Sequence, residues 1–81
     1  MKNANQQIGK IIQFHRKKSG LTQPQLASLA GVGKTVVHDI EKGKQTVQWN
    51  TITKILNVLN VMIVYESSLM KEFEKEEKAN A

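Results

Sequence analysis

Eighty-one residues with a net charge of +5 make one small domain with a modest core of its own. The chain has no cysteine, which excludes disulfides and thiolate metal sites, and its two histidines, His15 and His38, are too few for a zinc site. It opens without an apolar run and no stretch approaches the length of a membrane span, so a soluble, cytoplasmic protein with no membrane partner is expected.

Residues 1–5 are polar and are expected to be loose. The spacing of Ile8, Ile11 and Ile12 predicts a first helix from about Gln6 to Ser19, closed by Gly20. His15 falls on or beside this stripe, as a hydrogen-bonded core or boundary residue rather than a ligand. Thr22 is a good N-cap for a second helix, and Pro24 falls within its first turn, where a missing N–H costs nothing. Leu26, Leu29 and Ala30 follow at helical spacing, and small Ala27 lets another helix approach. Gly31 stands where the chain must reverse. A third helix is expected to begin near Gly33 or Lys34, with Val36, Val37 and Ile40 as its apolar face, and to end by Gly43. Lys34, Thr35, His38 and Asp39 are left facing outward. Two short helices about a tight turn are the layout of a helix-turn-helix, whose second helix lies in the major groove of DNA.

A further helix begins between Thr46 and Trp49 and ends near Leu59. Trp49, Ile52, Ile55, Leu56 and Leu59 form one core-like stripe, which places Trp49 on the apolar face rather than against a nucleobase. Asn60 breaks that helix. Val61, Met62, Ile63, Val64 and Tyr65 then read as a strand, with Val61, Ile63 and Tyr65 on one side and Met62 and Val64 on the other. A lone strand seeks a partner edge, and the simplest is the same strand in a second copy. Leu69–Phe73 predicts one or two helical turns. The mixed charge run from Glu74 onward is expected to be frayed.

Charge follows the same division. Residues 1–54 hold nine Lys or Arg against Asp39 and Glu41, while residues 55–81 hold three Lys against five Glu. A basic helical body suits a polyanion.

From Thr22 to Glu41 the chain resembles the Cro/repressor (XRE) helix-turn-helix family, and the likeness extends from about Ile8 to Leu59. The continuation from Gly43 to Tyr65, a helix running into a short strand, resembles HipB-type antitoxins. The resemblance implies a mainly α, lambda-repressor-like domain of four to five helices plus one short C-terminal strand that pairs across a dimer. Its divisions are a DNA-binding domain over 6–60, a dimerisation strand over 61–66 and a partly disordered charged tail over 67–81. Matching the family residue by residue, Arg16 and Glu41 take the places of a structural pair that holds the first and recognition helices in register.

The expected function is sequence-specific repression of transcription by a homodimer on an inverted-repeat operator. Lys34 suits guanine O6 and N7, Thr35 a thymine methyl, His38 an acceptor and Asp39 cytosine N4. Asp39 has two further readings, repulsion of phosphate and capping of its neighbours. Gln23, Lys42, Lys44 and Lys17 are the expected phosphate contacts, Gln23 through its amide and its side chain. The resemblance implies a second role, neutralising a HipA-like serine/threonine kinase toxin encoded alongside. The alternative is a stand-alone phage-type or host regulator without a toxin. No cofactor is expected, and no phosphate loop, nucleophile with a partner or carboxylate pair supports catalysis.

Overall fold

The computed structural model describes residues 4–80. Residues 1–3 and 81, which belong to the ends expected to be loose, lie outside the described residues. The described residues form five helices: α1 (Ala4–Lys18), α2 (Gln23–Ala30), α3 (Val36–Glu41), α4 (Trp49–Val58) and α5 (Met70–Ala79). The mainly helical architecture agrees with the fold class expected from sequence.

Each of the first four helices ends in the same way. Gly20, Gly31, Gly43 and Asn60 follow them with φ of 73°, 70°, 91° and 58°. In each case the next residue's amide reaches back five residues: Leu21 to the Arg16 carbonyl, Val32 to Ala27, Lys44 to Asp39 and Val61 to Leu56, at 2.9–3.1 Å. This is the Schellman closure, and it needs a left-handed residue. Glycine takes that conformation without cost, and asparagine tolerates it better than other side chains.

The beginning of α2 is equally explicit. Thr22 Oγ1 accepts from the Gln25 amide at 3.2 Å, and Gln25 Oε1 accepts from the Thr22 amide at 2.8 Å, completing a capping box with Pro24 inside the first turn. The beginning of α3 differs from the sequence expectation. The helix starts at Val36, after a turn in which the Val36 amide donates to the Gly33 carbonyl at 3.1 Å. Lys34 precedes the helix, and Thr35 stands at its boundary with no side-chain cap bond. With glycines at 31 and 33, the backbone has no need to become helical until an apolar residue can pack.

Ile12, Leu26, Ala27, Val37, Ile40, Ile52, Ile55, Leu56 and Leu59 make the core, and α1 packs on α3 while α2 packs on both α3 and α4. Six residues are too few for an independent helix. α3 is held by burying Val37 and Ile40, worth about 1.5–3 kcal/mol each. The apolar stripes are narrower than their spacing suggests. At roughly 100° per residue, Ile11 and Leu29 stand well round from the core-facing centres of their helices, and they are 37% and 63% exposed. Trp49, the first residue of α4, is 52% exposed. His15 sits at the boundary as expected, with Nδ1 2.7 Å from the Ile11 carbonyl. Phe14 is exposed, flanked by the edge-on His15 ring and by the Lys18 ammonium 5.7 Å from its centroid.

Beyond Asn60 the chain runs irregularly from Val61 to Ser67, and no strand is formed among the described residues. No amide from Met62 to Glu66 donates to a backbone carbonyl among the described residues. Helix α5 continues through the charged run to Ala79, past Phe73 where the sequence suggests fraying, with Glu72 in its first turn and Lys78 in its last to suit the helix dipole. It buries no residue. The radius of gyration, 15.1 Å, exceeds the roughly 12 Å of a compact chain this long.

Candidate nucleic-acid interface

The interface is assembled from the start of α2, the turn before α3 and the outward side of α3. Lys34, Thr35 and His38 are exposed, and Asp39 is half-buried. The Asp39 carboxylate lies 3.5 Å from the Lys44 ammonium. Lys44 is exposed and Asp39 half-buried, so the contact adds little stability, but it partly offsets the Asp39 charge. Lys42 follows α3 directly, and it and Lys17 are exposed.

Behind this surface lies an ionic centre. Arg16 Nε donates to Glu41 Oε2 at 2.6 Å and Nη2 donates to Oε1 at 3.0 Å, a bidentate pair between α1 and α3. The Glu41 side chain is 2% exposed and that of Arg16 is 11%. The third arm of the guanidinium, Nη1, donates to the Leu21 carbonyl at 2.8 Å, just ahead of the α2 cap. Burial pushes the Glu41 carboxyl up, but hydrogen bonds from Arg16, Gln23 and Gln13, with the Arg16 charge, outweigh it and hold the carboxyl below its ordinary value. The Glu41 hydrogen bond chiefly, opposed by burial and aided by the Glu41 charge, raises the Arg16 guanidinium. Arg16 and Glu41 are thus joined directly, with further bonds from Arg16 to the Leu21 carbonyl and from Gln23 to Glu41.

Two features beside this centre, at Gln23 and Gly9, escaped sequence reading. Gln23 Nε2 donates to Glu41 Oε1 at 3.0 Å, so this residue, expected at phosphate, is already tied to the ionic centre. Gly9 is buried on α1, and a Cβ there would overlap the Ile40 carbonyl oxygen and lie 3.3 Å from Glu41 Cα. A glycine between Ile8 and Lys10 in an otherwise helical pattern was the available signal for such a close approach.

A separate surface is apolar. Ile8, Ile11, Trp49, Leu56, Val61, Met62 and Ile63 line a groove of about 180 Å³. Val61 and Ile63 lean toward the body, at half-buried and 39% exposed, while Met62 and Val64 are 85% and 71% exposed. Among the described residues no helix is long and apolar enough to cross a membrane.

Comparison with known proteins agrees with this arrangement. Residues 8–64 match the model of the family described as helix-turn-helix domain. The uncharacterized HTH-type transcriptional regulator y4mF of Sinorhizobium fredii (strain NBRC 101917 / NGR234) is 38% identical over 56 residues, which cover 69% of this chain and 74% of that protein. A solved structure described as MDT Protein superposes with a TM-score of 0.73 over 84% of this chain and 96% of its own, at 20% identity, a likeness of fold. The capped α2, the Gly31 turn, the buried face of α3 and these matches together make the chain a member of the XRE-like helix-turn-helix family of DNA-binding transcriptional regulators.

Proposed function

We propose that the chain is a dimeric, sequence-specific transcriptional repressor of the HipB-like antitoxin kind, which binds an inverted repeat in its own operator and also binds a HipA-like kinase toxin. The observation that carries the DNA half is the exposure of Lys34 and Thr35 just before α3 and of His38 on it, with Lys42 and Lys44 just beyond it. Lys34 donates to guanine O6 and N7, Thr35 meets a thymine methyl, and His38 and Asp39 complete the base contacts, while Gln23, Lys17, Lys42 and Lys44 take phosphates. Lys34→Ala is expected to cost about 1–3 kcal/mol of specific binding and to relax preference at one base pair per half-site. Selection of binding sites from a random-sequence library by wild type and variant checks this. Unchanged discrimination would mean that Lys34 does not read a base.

The dimer is supported by the amides of Met62–Glu66, which donate to no backbone carbonyl among the described residues, and by the apolar groove beside them. Two copies pairing residues 61–66 antiparallel about a two-fold axis form one shared ladder and bring the apolar segments of both copies together. They also set the two recognition helices roughly 34–36 Å apart. Ile63→Pro removes a ladder donor, and it is expected to abolish dimerisation and most operator affinity while leaving the helical circular dichroism intact. Sedimentation together with an operator-binding assay reads both effects. A wild-type monomer at micromolar concentration would rule out the strand-paired dimer.

The antitoxin half rests on the resemblance over Gly43–Tyr65. Co-purification with the product of an adjacent kinase-like gene is the direct test. A chain that represses its operon, binds no neighbouring product and can be deleted without toxicity is a stand-alone regulator.

A further inference from the structure

Glu41 does more than close an ion pair. It stands where three elements meet: α3, which carries it; α1, through Arg16; and the start of α2, through Gln23. Gln23 is the first residue of α2, directly after the Thr22 cap, where the main-chain N–H has no partner within its own helix. Arg16 secures the same corner from its other side by donating to the Leu21 carbonyl. The corner is thus held on both flanks by one buried ionic pair, with the Glu41 side chain 2% exposed.

A primary amide carries two N–H groups. One of the two on Gln23 Nε2 is committed to Glu41 Oε1, at 3.0 Å. That bond fixes the rotation of the carboxamide, so the direction of its second N–H is set before any ligand arrives. A long side chain ordered in advance loses less freedom on binding. We infer that Glu41 is a positioning residue for DNA: it anchors the Gln23 carboxamide so that its second N–H and the Gln23 main-chain amide act as a preformed clamp on one backbone phosphate of each half-site. The inference rests on the phosphate contact proposed above for Gln23. It ties phosphate binding through Gln23 to the carboxylate that pairs with Arg16, because the oxygen that accepts from Gln23 also accepts from Arg16, at 3.0 Å.

The test uses duplexes carrying the sequence selected by the wild-type protein, with phosphates replaced one at a time by neutral methylphosphonate. Wild type should show one position per half-site whose replacement lowers affinity about five- to tenfold through Gln23. Gln23→Ala should lose most of that sensitivity, retaining only the share of its main-chain amide, and keep those due to lysines. The Arg16→Met/Glu41→Met variant, which removes both charges and keeps apolar chains of similar reach, should lose the same single sensitivity while its remaining profile is unchanged. A double variant with the wild-type profile at that phosphate overturns the positioning role. A Gln23→Ala variant that keeps every sensitivity instead overturns the phosphate contact itself, and the inference falls with it. A second measurement needs no variant and no DNA. In the free wild-type protein the Gln23 side-chain NH₂ should show restricted nanosecond motion by ¹⁵N relaxation, in contrast to that of exposed Gln48. Equal mobility of the two amides would overturn the anchor.

Discussion

Arg16→Ala is expected to destabilise the fold by about 3–5 kcal/mol, several times the effect of removing a surface charge. The substitution leaves the Glu41 carboxylate with 2% exposure and no cation, and it also frees the Leu21 carbonyl that Nη1 satisfies. Replacing both members by methionine should cost far less, since no buried charge is then stranded. Urea unfolding of the single and double variants measures the difference, and additive losses would mean that the two side chains do not interact. The pair also predicts a pH dependence. Glu41 is held below its ordinary value in the folded chain. Its contribution is therefore complete above the unfolded-state value of about 4.3, and it disappears as pH falls through the lower folded value. Wild type should lose its advantage over Arg16→Ala in acid below about pH 4, and keep it unchanged from pH 6 to 8.

Gly9→Ala is expected to cost about 3 kcal/mol, at the upper end for overpacking, although alanine favours helix over glycine by about 1 kcal/mol. The atom it would meet is the Ile40 carbonyl oxygen, with the Ile40 carbonyl carbon 3.2 Å away. Backbone has no rotamer to turn aside, so α1 and α3 must separate. Since α3 carries His38 and Asp39, operator affinity should fall along with stability. A melting curve and a binding isotherm on the same sample check both. A Gly9→Ala protein as stable as wild type would show that the two helices have room to spare.

The helix ends were legible because their chemistry is local. Thr22 accepts from an amide three residues on, and Gly20, Gly31 and Asn60 supply left-handed backbone where each helix must stop. The Arg16–Glu41 pair was legible by another route, the match to a family pattern, since nothing at position 16 by itself names a partner 25 residues away. The extent of α5 was less legible, as Glu and Lys at close spacing suit both a solvated tail and a charged helix.

The sequence by itself determined where the chain turns, which residues can be apolar on each helix, that the basic charge lies in the helical body, and that two helices meet at Gly31. Those properties depend on neighbours within a few positions. Only the tertiary structure decided which part of each stripe is covered. Ile11, Leu29 and Trp49 have the spacing of core residues and remain partly or largely exposed, because burial depends on where other helices lie. It alone also revealed the need for glycine at position 9, the tie from Gln23 to Glu41 and the pairing of Asp39 with Lys44. The first two are meetings of segments far apart in the chain, and the third depends on the fold of the turn at Gly43. No periodicity records such distances; they are fixed when α1, α2 and α3 close on a common core.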